Sequence, residues 1–266
     1  MIVAGYIGAL VMGLLLGLLG GGGSILTVPI LVYLFRTDTV LATAYSLFIV
    51  GTTALFGCAH HIRIGNVDRR DVLLFGLPSI IAVVITRRYL VNALPDPLIE
   101  RGSFVLSRSE GLLVFFAILM LLAARQMLRK TDLERASAEH VRRVNEPMLA
   151  VRGALTGMVT SLVGAGGGFL IVPALVVFAK LPMNKAVGTS LLIIAANGLI
   201  GAAFDPRMQH DVDWRFLLMF TSIAVAGTLA GSAIGACVPH EKLKPAFGWF
   251  VLVMGAFIML KELVIT

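Results

Sequence analysis

Charged residues are scarce in this chain. Asp, Glu, Lys and Arg make up 14% of its 266 residues, whereas a soluble globular domain carries about 25%. Hydrophobic residues reach 58% and the mean hydropathy is +0.93, which is more apolar side chain than a soluble fold of this size can bury. The composition excludes a soluble domain, a disordered region, a disulfide-rich secreted module and a nucleic-acid-binding protein. It predicts an integral membrane protein.

Cysteine is almost absent, and several enzyme motifs are missing. Cys58 and Cys237 lie in or beside apolar runs, without the spacing of a metal or redox site. The sequence contains neither a Walker motif for ATP binding nor the Gly-x-Ser-x-Gly motif of serine hydrolases. We therefore expect no metal, no cofactor and no enzymatic activity.

Eight apolar runs reach or approach the roughly 20 residues that cross a bilayer as a helix. They are apolar on every face, whereas strands of a membrane barrel alternate apolar and polar residues. No Lys or Arg precedes the first run, so we expect it to belong to the mature protein. The sequence predicts an all-α, multi-pass bundle of about four plus four helices, with runs Ile2–Leu34, Val40–Ala59, Val72–Val91, Gly111–Met127, Met148–Phe178, Ala186–Phe204, Phe216–Val238 and Pro245–Val264.

One long polar segment, 125–152, separates two apolar halves, 1–124 and 153–266. Because Lys and Arg next to membrane helices favour the cytoplasmic side, this segment is predicted to be a cytoplasmic linker, with a helix expected at Asp132–Val144. The net charge of +7 is attributed to such membrane ends. The linker carries seven cations: Arg125, Arg129, Lys130, Arg135, Arg142, Arg143 and Arg152.

The two halves resemble each other. A shift of 144 residues aligns the first run with the fifth and the second with the sixth without a gap. The aligned identities include glycines, a Val-Pro pair and a serine, which are less common than Leu or Ala in apolar sequence. We infer an internal duplication, a feature frequent in transporters. The pairs include Gly20/Gly164, Gly22/Gly166, Gly23/Gly167, Val28/Val172, Pro29/Pro173 and Ser46/Ser190.

The relative orientation of the halves depends on the first run of each. If that run crosses completely, the halves are parallel; if it dips in and returns, the second half is inverted. The number of cations on the linker side is almost equal in the two arrangements. We expect the parallel one, because the first and fifth runs are long enough to cross.

Contiguous glycines break the first helix of each half. A mid-helix Gly costs about 1 kcal/mol relative to Ala, and unsatisfied backbone in a membrane must face protein or a wet cavity. The helices that restart after the breaks would point N–H groups inward, where an anion could approach them. Spaced glycines such as Gly13, Gly17, Gly153 and Gly157 are expected only to pack helices closely. The candidate substrate-binding glycines, with one adjacent serine, are Gly20, Gly21, Gly22, Gly23, Ser24, Gly164, Gly166, Gly167 and Gly168.

Hydroxyl and amide side chains follow in the second and sixth runs. Ser46 and Thr53 lie two helical turns apart, and the 144-residue shift pairs them with Ser190 and Asn197. With Thr189, they are predicted to offer an anion neutral donors without a buried countercharge. Such groups also commonly bond back to their own helix, and that alternative stays open.

Three titratable residues are candidates for coupling a proton or sodium ion. Asp205 ends the sixth run and aligns with His61, and His60 precedes His61. A proton relay through them is one interpretation. An ordinary position at the membrane interface is the other, and the sequence favours it.

At these residues the sequence resembles the sulfite exporter TauE/SafE family, also called the toluene sulfonate uptake permeases. The motifs that carry the resemblance are GLLLGLLGGGGSILTVPIL, GALTGMVTSLVGAGGGFLIVPAL and KAVGTSLLIIAANGLIGA. The resemblance implies a permease of the bacterial inner membrane for sulfite, sulfonates, sulfoacetate or a related anion. The segment Arg87–Ser109, interpreted as an outer loop, is longer and more charged than the resemblance implies.

We therefore expect a secondary transporter that moves a small anion by alternating access. A passive anion channel on the same fold is the main alternative, and an intramembrane hydrolase using His60 or His61 is a weaker one. The expected partners are the anionic substrate, the lipid bilayer and a coupling proton or sodium ion. The sequence does not indicate an oligomeric state.

Overall fold

The computed structural model is helical almost throughout. It describes residues 2–93, 95, 99–101, 104–128, 146–164, 168–210, 212–235 and 240–262. The helices are α1 (Ile2–Leu19), α2 (Gly22–Leu34), α3 (Thr39–Arg63), α4 (Arg69–Leu90, followed directly by a helical turn at Val91–Ala93), α5 (Arg108–Leu128), α6 (Glu146–Val163), α7 (Gly168–Phe178), α8 (Met183–Ala203), α9 (Arg207–His210), α10 (Trp214–Gly235) and α11 (His240–Leu260). The strands are β1 (Ile99–Arg101) and β2 (Phe104–Leu106).

The chain is a multi-pass helical membrane protein. Among the described residues, five helices are long and apolar enough to cross a bilayer: α1, α3, α4, α8 and α10. Their outer faces carry exposed large apolar side chains, such as Val3, Leu73 and Leu218, which suits contact with lipid tails. The prediction of a helical membrane fold is confirmed. The helical linker expected at Asp132–Val144 lies outside the described residues.

A short hairpin was not predicted. β1 and β2 pair antiparallel, with Glu100 opposite Val105. They lie within the predicted outer loop Arg87–Ser109, but α4 continues through Arg87 to Leu90. Arg87, which the sequence placed both in the run Val72–Val91 and in this loop, therefore belongs to the helix and not to the loop.

The first apolar run folds back on itself. The backbone takes a positive φ at Gly20 (66°) and Gly21 (144°), and the chain reverses there. Gly23 then lies against the backbone of α1 at Met12 and Leu16, and Gly5 near the start of α1 lies against Phe35 just after α2. α1 and α2 are thus the two arms of a helical hairpin. The expectation that this run crosses the membrane once is wrong, because the two positive-φ glycines turn the chain instead of kinking it.

The fifth run forms a second hairpin. Arg152 near the start of α6 stacks over the ring of Phe178 at the end of α7, 4.1 Å from its centroid. α6 ends at Val163, and Gly164 takes a positive φ of 74°. The connection 165–167 to α7 lies outside the described residues. α6 and α7 therefore run antiparallel, and this run does not cross as a single helix either.

α3 and α8 form the centre of the bundle. In each, 72% of the most apolar stretch is buried, against 39–44% in α1, α4 and α10. The two helices cross where Gly51 meets Gly198, and Gly188 near the start of α8 contacts Asn66 beyond the end of α3. They therefore run in opposite directions, although the 144-residue shift aligns them. This overturns the parallel arrangement that we expected for the two halves.

Glycines also join the outer helices. Gly13 of α1 lies against the backbone of Ala224 in α10, and Gly157 of α6 lies against Ser79 in α4. This close approach confirms the packing role expected for the spaced glycines. Arg70 at the start of α4 forms an ion pair with Glu146 at the start of α6, so both helices begin at one end of the bundle. We call this the linker end, and the opposite end the far end.

Candidate functional site

The two hairpins meet through their glycine turns. A Cβ on Gly168 would overlap the carbonyl oxygen of Gly21, and one on Gly21 would lie 2.8 Å from the carbonyl oxygen of Gly168. Both residues are buried, as are Gly20, Gly22 and Gly23. Only glycine permits two backbones to approach this closely. The structure therefore brings Gly21 of the first predicted cluster against Gly168 of the second, inside the protein and away from lipid.

Each turn also rests on one of the central helices. Gly20 lies against Val187 near the start of α8, and Gly164 lies against Thr43 near the start of α3. These two contacts correspond under the 144-residue shift, which aligns Gly20 with Gly164 and Thr43 with Val187. Ser190 Oγ can donate to two carbonyls, that of Val187 in its own helix at 2.8 Å and that of Gly20 at 3.1 Å, so this candidate serine lies directly against the first turn.

Ser24 contributes to the shape of the first turn. Its Oγ donates to the Gly21 carbonyl at 2.8 Å. The hydroxyl therefore stabilises the turn from within, and α2 begins here with a short 3₁₀ segment, Gly22–Leu26. Gly166 and Gly167, the predicted site residues of the second turn, lie outside the described residues.

The other predicted polar groups differ in how fully they are satisfied. Thr53 Oγ1 donates back to Ile49 and Val50 of its own helix, at 2.8 and 3.0 Å. Thr189 Oγ1 accepts the backbone N–H of Asp68 at 2.9 Å. Both hydroxyls thus have structural partners, the alternative that the sequence left open.

Two predicted groups keep unused hydrogen-bonding capacity. Within the described part of the chain, the fully buried Ser46 Oγ has no partner. Asn197 Nδ2 donates to Ser79 Oγ at 2.8 Å, whereas Asn197 Oδ1 has no partner there. Thr27 Oγ1, just after the 3₁₀ segment of α2, is also buried and has no partner among the described residues. A buried polar group without a partner is costly, so these positions suit a polar ligand.

The three candidate coupling residues do not form one cluster. His61 lies beside Gly188 at the linker end, whereas Asp205 follows α8 at the far end. Most of the length of α8, about 25 Å from Gly188 to Asp205, separates them. The side chain of His60 lies outside the described part of the structure. His61 and Asp205 are therefore too far apart for direct proton transfer between them.

Asp205 instead binds a buried arginine that sequence reasoning missed. Arg87 Nη1 donates to Asp205 Oδ2 at 3.1 Å and to Thr43 Oγ1 at 3.0 Å, and Arg87 Nη2 donates to the Thr43 carbonyl at 3.4 Å. The side chains of Arg87 and Asp205 are both 0% exposed. The sequence predicted neutral donors without a buried countercharge at the glycine turns, and that prediction did not include this buried cation at the far end. Because the predicted span Val72–Val91 already included Arg87, its charge there indicated an inward-facing functional residue.

A second arginine holds the other oxygen of the same carboxylate. The backbone N–H of Arg207 donates to Asp205 Oδ1 at 3.0 Å, and its guanidinium lies 3.6 Å from that oxygen. Arg207 is partly exposed, with 21% of its side chain accessible. Among the described residues, two guanidinium groups thus face this carboxylate, and the three side chains together carry a net positive charge.

Other possible sites are poorer. An apolar groove of about 310 Å³ lies between α5, α6 and α7 and is lined by residues such as Leu119, Val159 and Leu170. Its lining is mainly apolar, which suits lipid tails better than a polar substrate. Among the described residues, no group of three or more His, Cys, Asp or Glu side chains could hold a metal ion.

Comparison with known proteins identifies relatives along nearly the whole chain. Residues 6–258 match the sulfite exporter TauE/SafE family. A "probable membrane transporter protein" of Xylella fastidiosa is 32% identical over 93% of this chain and 90% of its own length. Similar proteins occur in Methanocaldococcus jannaschii, 25% identical over 98% and 94% of the two chains, and in Bacillus subtilis, 24% identical over 88% and 91%. No solved structure matches the chain.

Proposed function

The chain belongs to the sulfite exporter TauE/SafE family, and from that premise we propose that it is a secondary transporter for a small anion. The family and the names of the relatives support a membrane transporter. The anion, the alternating-access mechanism and the coupling are our proposal.

The contact between Gly21 and Gly168 carries the proposal. α2 and α7 both begin at this contact, and the first N–H groups of a helix have no partner within the helix. Together with the aligned dipoles they favour a negative ligand. Ser46 Oγ and Thr27 Oγ1 add buried hydroxyls of unused capacity. We infer that an anion binds where the two turns meet, held by backbone N–H groups and these hydroxyls.

The proposed mechanism rests on an inverted repeat, 1–124 and 153–266, joined by the linker 125–152. Its support is the pair of matching contacts Gly20–Val187 and Gly164–Thr43, and the opposite directions of α3 and α8. Inverted repeats let a transporter exchange two conformations that open to opposite sides. In this proposal each hairpin turn moves against the central helix on which it rests.

The linker end is proposed to face the cytoplasm of a bacterial cell, with the protein in the inner membrane. Besides the linker cations, this end carries Arg63 at the end of α3, Arg69 and Arg70 at the start of α4, Lys180 after α7 and Lys185 near the start of α8. Arg and Lys in short loops are concentrated on the cytoplasmic side. The family name and the motifs favour sulfite, a sulfonate or sulfoacetate as the substrate.

The proposal is tested by anion binding to the purified full-length protein. Sulfite, methanesulfonate, sulfoacetate, sulfate and chloride are compared for their effect on the thermal unfolding temperature. We expect one of the sulfur anions to raise it more than chloride does. In Gly21→Ala this difference should disappear, because the added Cβ enters the contact with Gly168.

The matched control is Gly65→Ala. Gly65 also has a positive φ, 73°, but a Cβ there would have nothing within 4 Å, so the anion effect should persist. Equal responses to all anions in the unmodified protein, or an undiminished response in Gly21→Ala, would contradict the proposed site. Counterflow in liposomes separates the two modes of transport: a carrier is accelerated by anion on the opposite side, whereas a passive channel is not.

A further inference from the structure

We propose that Arg87 is a substrate-binding residue, and that the anion binds its guanidinium by displacing Asp205 at the far end of the bundle. This inference rests on the proposed transport of an anion. It adds a charged subsite to the neutral glycine turns. It also means that the anion and the Asp205 carboxylate compete for the Arg87 guanidinium.

The guanidinium is buried but not fully used. It makes contacts with Asp205 and Thr43 through Nη1 and Nη2, and within the described residues its Nε has no partner. A guanidinium has five N–H donors in a planar fork that fits two oxygens of an oxyanion. The fork has two edges, Nη1 with Nη2 and Nε with Nη2. Displacing Asp205 releases an N–H of Nη1, and within the described residues the N–H of Nε is already available, so an oxyanion has a donor on either edge.

Thr43 places this cation beside the second glycine turn. Its hydroxyl and carbonyl accept from Arg87, and the same residue packs against Gly164. One residue thus separates the buried guanidinium from the turn at which the proposed anion site begins. An anion that reaches the turn from the far end comes close to Arg87.

Displacement would not leave Asp205 without a partner. Asp205 Oδ1 keeps the backbone N–H of Arg207 at 3.0 Å and the Arg207 guanidinium at 3.6 Å, while only Oδ2 depends on Arg87. Removing the last partner of a buried charge is expensive, and here that cost is avoided. The local charge also favours the exchange, because two arginines facing one carboxylate can accept one further negative charge.

A purely structural role is the competing explanation. A buried ion pair is weak evidence for stability, since desolvation offsets much of the attraction, and ionisable residues within membrane bundles commonly serve transport. The second half has no equivalent of this pair on the matching helix. The counterpart of α4 is α10, which packs on α1 as α4 packs on α6, and its single charged residue is Arg215 near its start. One-sidedness suits a ligand that enters or leaves at the far end.

The variants Arg87→Lys, Arg87→Gln and Asp205→Asn distinguish these roles when the affinity of the full-length protein for sulfite and methanesulfonate is measured by calorimetry. Arg87→Lys keeps the charge but not the fork, and should weaken binding about tenfold, equivalent to about 1.4 kcal/mol. Arg87→Gln should abolish the binding that exceeds that of chloride. Asp205→Asn removes the competitor and should strengthen binding, an effect that a structural role does not produce.

Arg87→Gln and Asp205→Asn each leave one buried charge without its partner, which can prevent folding. The double variant Arg87→Gln/Asp205→Asn avoids this. It contains neither charge, so it should fold and should lack the selective anion binding. The inference is overturned if Arg87→Gln or the double variant binds the anion as the unmodified protein does, or if Asp205→Asn fails to strengthen binding. Absence of selective binding in the unmodified protein would instead refute the proposed function itself.

Discussion

Replacing Gly20 by Ala should destabilise the protein far more than the same change at Gly65. The two glycines have nearly equal positive φ angles, 66° and 73°. The left-handed backbone conformation therefore destabilises an Ala at either position by a similar amount, roughly 1–2 kcal/mol. At Gly20 the new Cβ would overlap Val187 Cγ1 and lie 2.9 Å from Val187 Cβ, whereas at Gly65 it meets nothing within 4 Å. Overpacking a buried site typically adds about 1–3 kcal/mol. We therefore expect a loss of about 2–5 kcal/mol for Gly20→Ala and about 1–2 kcal/mol for Gly65→Ala.

Thermal unfolding of the purified protein in one detergent measures the difference. At about 2–4 °C per kcal/mol for a chain of this size, Gly20→Ala should unfold roughly 2–12 °C below Gly65→Ala. Val187→Ala removes the overlapping Cγ1, so in a double-mutant cycle it should cost less in the Gly20→Ala background than alone. If both glycine variants unfold at the same temperature, the first turn does not rest on α8 as described. Additivity in the cycle would contradict the contact independently.

Two further outcomes concern the packing of the outer helices. Gly13→Ala should unfold at a clearly lower temperature than Gly57→Ala. A Cβ at position 13 would overlap the backbone of Ala224, whereas the nearest neighbour of a Cβ at position 57 is a side-chain atom at 3.3 Å. Similar unfolding temperatures would rule out close contact of α1 with α10. Glu146→Gln should change stability by less than about 1 kcal/mol, because the side chains of the ion pair Arg70–Glu146 are 58% and 50% exposed; a larger loss in denaturant or thermal unfolding would contradict a solvent-screened pair.

Local sequence predicted the positions of the helices and turns but not the path of the chain. The glycines at 20–23 indicated a break, and the structure has one there. A break permits either a kinked crossing or a reversal, and the choice depends on what the second arm packs against. Gly23 fits against Met12 and Leu16 of α1, so the chain returns. That contact could not be derived from the length of the run, which is compatible with both paths.

The polar residues show the same division. Thr189 was predicted to bind substrate from its position in the helix, but it accepts from Asp68, 121 residues away. Arg87 was placed both in the run Val72–Val91 and at the start of the outer loop Arg87–Ser109, and neither placement predicted that it pairs with Asp205, 118 residues away. Partners so distant in the chain leave no pattern in a single sequence. The scarcity of charge in the run Val72–Val91 was the available indication that Arg87 faces inward.

The sequence by itself determined that this protein is a helical membrane protein with glycine-rich interruptions, and its motifs indicated the family. These properties follow from local composition, because transfer of each segment into hydrocarbon depends on its own side chains and on hydrogen bonds within its own backbone. Only the tertiary structure decided that the interruptions reverse the chain, that Gly21 meets Gly168, and that Arg87 lies against Asp205. Those outcomes depend on which backbones can approach each other and which buried charges find a partner, and both are properties of the assembled bundle.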